Sequence, residues 1–149
     1  MICFFDTSAL VKLFHIEEGS DTVESIISNH ENEIWVLELV RLEFFSSISR
    51  RYRQGEISEK DLSHVINDFE EQVQNFNIEP MGSVVLREAE HLMKEYGAKD
   101  FLRSLDALHL AAFHLLSNGD WNFVCADEKL CNAAEKLGME IINPLDYCL

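Results

Sequence analysis

Two short apolar runs constrain this chain more than anything else in it. "ICFFD" (2–6) and "WNFVCAD" (121–127) are each too short for a helix, each end in an aspartate, and each precede a helix-like pattern. A short continuous apolar run is the mark of a strand buried on both faces, as in a parallel sheet covered by helices. The segments between them alternate in the same sense. "TSALVKLFH" and residues 20–30 have helical spacing, a brief strand near 34–36 leads into a helix ending at Gly55, and Ser58 with Asp61 forms a capping box for a helix to about 75. A short strand "NIEPM", a helix "GSVVLREAEHLMKEYG" and a helix over 101–118 capped by Asp100 follow. After the 121–126 strand come a helix stopped by Gly138 and a last strand in "MEIINP". The expected fold is α/β, a three-layer α/β/α sandwich with a central parallel sheet, in one domain over 1–149. Only two prolines, and no repeats or low-complexity linkers, interrupt it.

Composition narrows the function classes. The net charge of −15 argues against a broad basic surface for nucleic acid; it suits a protein that concentrates acids around divalent cations, one that meets a basic partner, or plain solubility. No apolar stretch is long enough to span a membrane, and "MICFFDTSALVK" lacks the basic leader of a signal peptide, so a cytoplasmic location is expected. Cys3, Cys125, Cys131 and Cys148 match no zinc spacing and are expected to be free thiols.

Four acids stand where an apolar residue would be cheaper, or at the edge of the sheet where ligands bind. Asp6 and Asp127 close the two strongest strands, and either could simply cap the helix that follows. Asp106 lies in "FLRSLDALHLAAFHLL", with leucines and alanines on almost every side. A lone buried carboxylate there costs several kcal/mol, about 2–7 for a polar group and more for a charge. Its partner is Arg103 at i−3, His109 at i+3, or a cation. Glu43, in "LVRLEFFSS", sits on a helical face that is half apolar and half small and polar, as a helix lining a cleft would be. Carboxylates held close repel one another and need countercharge, which Mg²⁺ or Mn²⁺ supplies through hard oxygen ligation. Carboxylate metal sites that retain water are common machinery for phosphodiester hydrolysis. His109 and His114, five apart on one helix, are poorly spaced for a shared metal and read as packing or surface residues. An aspartyl-nucleophile phosphatase would need an acid where Ser8 stands.

"FFDTSALVKLF", "RLEFFSSISRR", "LRSLDALHLAAF" and "FVCADEKLCNAAEKLGMEIINP" together resemble the PIN-domain family, most closely the VapC-type toxin ribonucleases, over residues 2 to about 144. The resemblance implies a metal-dependent endoribonuclease with an acidic Mg²⁺ or Mn²⁺ site at Asp6, Glu43, Asp106 and Asp127. It places Ser8 at the family's small hydroxyl position. It also implies an RNA substrate, a homodimer and a cognate antitoxin. A non-catalytic RNA- or protein-binding module on the same fold is the competing expectation. Basic residues gather in "RLEFFSSISRRYR", where Arg50 and Arg51 are the candidates for RNA contact. Arg50, Arg51 and Arg53 could equally complement a helix C-terminus.

Overall fold

The computed structural model describes residues 1–100 and 102–146, leaving aside the side chain of Asp100. Cys148 and Phe101 lie outside the described residues. Five strands, β1 (Ile2–Phe5), β2 (Glu33–Leu37), β3 (Asn77–Glu79), β4 (Trp121–Val124) and β5 (Glu140–Ile142), form one sheet in the order β3-β2-β1-β4-β5. Every neighbouring pair is parallel. β1 is central because its backbone can pair on both edges. Phe5 registers with Val36 on one side and Val124 on the other.

Alternation along β1 builds two cores. Phe4 faces one side with Phe113 and Phe123, packed with rings about β1 and β4 at centroid distances of 5.8 and 6.1 Å from Phe4. Cys3 and Phe5 face the other side with Leu10, Val40 and Phe44. The first core is covered by α5 (Ser83–Asp100), α6 (Ser104–Leu116) and α7 (Glu128–Lys136). The second is covered by α1 (Thr7–Leu10), α2 (Ser20–Ser28), α3 (Leu39–Arg53) and α4 (Glu59–Gln72). Phe44 on α3 stacks on Phe69 of α4 with ring centroids 3.9 Å apart, which sets the Phe44–Phe45 pair in packing rather than on a binding surface. This is the three-layer arrangement that the alternating pattern predicts. No helix among the described residues is long and apolar enough to cross a membrane.

Local signals decide the element ends. Ser58 accepts from the Asp61 amide while the Asp61 carboxylate accepts from the Ser58 amide, which is the capping box. Gly55 follows the C-cap of α3 at φ +77°, a left-handed position that glycine adopts without strain. The expected first helix is short: four α-helical residues, then a 3₁₀ turn over Val11–Leu13. The helix expected from 101 starts instead at Ser104, with Arg103 as its N-cap residue and no side-chain cap bond. Asp100 therefore ends α5 rather than capping α6. One consequence reaches the site. Asp106 lies in the first turn of α6, not mid-helix, where the unpaired amides of a helix N-terminus favour an acid. The fully buried part of α6 is its middle, Ala107–Phe113, while Leu105 and Leu115 are exposed.

Candidate active site

The sheet reverses its strand order between β1 and β4, so that their carboxyl ends flank a crevice. The chain leaves each strand there through an aspartate. Asp6 has extended backbone, and its Oδ2 accepts from the Ser8 amide at 2.9 Å. Asp127 Oδ1 accepts from the Lys129 and Leu130 amides at 3.0 and 3.1 Å. Both acids are thus helix caps, and both keep carboxylate surface on the crevice. The two readings of these residues are compatible, since a cap uses only one oxygen.

Asp6, Ser8, Glu43, Asp106 and Asp127 line a single cleft of about 710 Å³, together with Arg50, Arg51 and Arg103. α3 brings Glu43, and α6 brings Asp106. Ser8 Oγ accepts from the Ala126 amide at 3.0 Å, tying the end of β4 to the start of α1. Cys125 beneath it receives the Asp127 amide at its Sγ, 3.3 Å away. Burial of Cys125, and its contacts with Cys131 and Asp6, hold its thiol far above the ordinary range; Cys131 beside it is the larger cause. Cys3, Cys125 and Cys131 are free, buried thiols, as expected.

His109 departs from expectation. It is neither a surface nor a packing histidine: it is 0% exposed, and its Nε2 bonds the Glu43 carboxylate. The same nitrogen lies 3.7 Å from Asp6 Oδ1 and 3.3 Å from Thr7 Oγ1. Thr7 Oγ1 donates to Glu43 Oε1 at 2.7 Å. Burial opposes the charged imidazole, but the Glu43 bond and the charges of Asp6 and Asp106 outweigh it and hold the His109 pKa above its ordinary value. Burial likewise works against ionised Glu43, and His109, Thr7 and Arg103 overcome it, so its pKa lies below the ordinary value. Oε1 takes both of these bonds, which leaves Oε2 for a water or a cation. Asp106 and His109, three residues apart, share one helix face, but nothing local points to Glu43 as the partner of His109.

Asp106 and Asp127 share Arg103. Its Nε donates to Asp106 Oδ2 at 2.7 Å and its Nη2 to Asp127 Oδ2 at 2.9 Å. The ion pair anticipated at i−3 is therefore present, and extends to a second acid. The Asp106 pKa is still raised: burial is the largest cause, repulsion from Asp6 and Asp127 adds to it, and Arg103 offsets only part. Of the basic residues on the C-terminal half of α3, Arg50 is exposed on the cleft. Arg51 lines the cleft too, but its guanidinium is committed to Glu17 and Glu56 at 3.3 and 3.2 Å. Arg41 faces α4, where it pairs with Glu70 at 2.8 Å.

The donor set suits a hard divalent cation: carboxylate oxygens only, in surplus, at one mouth. Among the described residues no three of His, Cys, Asp or Glu already converge closely enough to hold one. The guanidinium of Arg103 stands in as the cation between two of them. The residues fit the ion by chemistry, since all four side chains present carboxylate oxygens to one cleft.

The sequence pattern of the family described as "PIN domain" matches residues 3–136. No curated protein matches the chain. Solved structures match along nearly its whole length. FitAcB from Neisseria gonorrhoeae is 14% identical with a TM-score of 0.69, covering 97% of this chain and 98% of that one. VapBC2 from Rickettsia felis, bound to a DNA fragment from its promoter, is 16% identical with a TM-score of 0.65 (96% and 98% covered). VapC20 from Mycobacterium tuberculosis, described as a sarcin-ricin loop cleaving toxin, is 14% identical with a TM-score of 0.67 (88% and 94%). At these identities the likeness is one of fold.

Proposed function

This chain belongs to the PIN-domain family, and from that premise we propose that it is a metal-dependent endoribonuclease, the toxin of a toxin–antitoxin pair. One observation carries the reading: four acids from four separated segments line one cleft at the switch point of a parallel sheet. Asp6, Asp106, Asp127 and Glu43 are the residues that would hold Mg²⁺ or Mn²⁺. Such an ion, when bound, supplies Lewis acidity at a phosphate and lowers the pKa of water. The protein's own part is derived from its contacts. His109 and Thr7 fix the Glu43 carboxylate in one rotamer and keep it ionised. Its Oε2 is then a proton acceptor for water on the cleft side. Ser8 holds the ends of β1 and β4 together, and with them the spacing of Asp6 and Asp127. Arg50 offers its charge to an RNA phosphate at the cleft rim. The neighbours solved as toxin–antitoxin complexes support an antitoxin partner, and a homodimer belongs to the same reading.

A non-catalytic RNA- or protein-binding module has one observation on its side: no three donors converge as placed. The test is cleavage of a labelled structured RNA in Mn²⁺ or Mg²⁺, by the protein and by Asp106→Asn, which keeps the shape. Metal-dependent cutting with 5′-phosphate ends, lost in the variant, is the expected result. Equal cutting by both would remove Asp106 from the chemistry. RNA binding without cutting, across several RNAs, would favour the module.

A further inference from the structure

Arg103 takes no part in the proposed hydrolysis, yet it pairs with two acids at the cleft mouth, at 2.7 and 2.9 Å. Its oxygen partners, Asp106 Oδ2 and Asp127 Oδ2, belong to two of the carboxylates that would ligate the cation. A guanidinium and a divalent ion cannot both lie between those oxygens. We propose that Arg103 is a displaceable latch on the metal site: it occupies the two carboxylates in the metal-free protein, pre-orders them, and leaves when the ion enters. The inference rests on the reading of these acids as metal ligands.

Three features make Arg103 fit for displacement rather than for permanent structure. Its side chain is 68% exposed, so solvent screening keeps each ion pair weak. It stands at the N-cap of α6 with no side-chain cap bond, so no helix end depends on it. Its fork is bidentate across two residues rather than on one, so either carboxylate can turn away without the other. The structural ion pair of Arg51 contrasts with it, because that guanidinium is mostly covered and anchors Glu17 and Glu56 away from the acids. Until an ion enters, Arg103 gives Asp106 and Asp127 a countercharge.

The experiment measures Mn²⁺ affinity by calorimetry on the full chain, with Arg103→Ala, Arg103→Lys and Arg50→Ala beside the wild type. Arg103→Ala is expected to bind Mn²⁺ about tenfold more tightly, since the wild type's binding-competent form is only a fraction of the whole. Arg103→Lys, which keeps the charge but loses the fork, is expected to fall between, and it stands in if the alanine variant does not fold. Arg50→Ala removes a positive charge from the same cleft without touching the acids, and is expected to change the affinity less than twofold. A second readout is independent of activity: the Arg103 Nε–H signal, identified by its loss in Arg103→Lys, is expected to shift during a Mg²⁺ titration of the wild type. Equal affinities for wild type and both Arg103 variants, or an Nε–H signal unmoved at saturation, would overturn the latch while leaving the metal site standing. If neither the wild type nor any variant binds Mn²⁺, the metal reading fails and the latch with it.

Discussion

Replacing His109 by leucine tests the buried link between α6 and α3 without opening a large hole, because the two side chains are similar in size. The histidine is fully buried, and its Nε2 is the link between Glu43, Thr7 and Asp6. Removing one member of a buried ion pair costs about 3–5 kcal/mol. The Glu43 side chain is 20% exposed and keeps its Thr7 bond, so it can rehydrate in part, and the expected loss is about 2–3 kcal/mol. The pH dependence follows from both shifts. His109 has a raised pKa in the fold, so its contribution is complete below its ordinary 6.5 and fades as pH climbs through the folded value. Glu43 has a lowered pKa, so its contribution is complete above its ordinary 4.5 and fades as pH drops through the folded value. The gap between wild type and His109→Leu is therefore widest between these two values and narrows on both sides. Urea unfolding in a chelator, at intervals from pH 3 to pH 9, measures it. A gap under about 0.5 kcal/mol, or one that does not vary with pH, would refute the ion-pair account of this contact.

The remaining expectations concern the cleft itself. Arg50→Ala is expected to raise KM for RNA with kcat unchanged and to reduce the salt slope of binding by about one, read from binding isotherms at several salt concentrations. Asp106→Asn is expected to stabilise the metal-free protein at neutral pH. The raised pKa of Asp106 means that its ionised form is disfavoured by burial and by its acidic neighbours, so the gain is expected to vanish in thermal melts taken below its ordinary 3.8. Ser8→Ala strands the Ala126 amide and is expected to lower stability by about 1 kcal/mol, with a larger fall in cleavage rate because Asp6 and Asp127 lose their common tie.

β1 and β4 were legible because they are short, apolar and closed by acids, and a buried parallel sheet demands that pattern. The caps at Asp6, Ser58 and Asp127 were legible because an oxygen side chain before a helical run has few other uses there. Asp100 shows the limit of the same signal: it is the right residue type, but α5 runs through it, and α6 begins four residues later without a side-chain cap. His109 was hidden for a different reason. Its partner Glu43 comes from a helix on the opposite side of the sheet, and only the tertiary fold brings the two together. Arg51 looked as available to RNA as Arg50, since nothing in a local pattern reveals the distant Glu17 that engages it.

The pairing of β1 with β4 has a consequence for how the molecule is made. The ribosome delivers β1 first, and β2 and β3 can dock on one edge as they emerge. The other edge stays unpaired until Trp121–Val124 is synthesised, which at about 5–20 residues per second takes on the order of ten seconds. During that interval the nascent chain carries an open strand edge, a template for wrong pairing. It also lacks Asp127, the acid that follows β4, so the cleft cannot be complete on any shorter translation product. Asp127 is the last of the four acids in chain order, so the cleft is completed only after Asp6, Glu43 and Asp106 have been made.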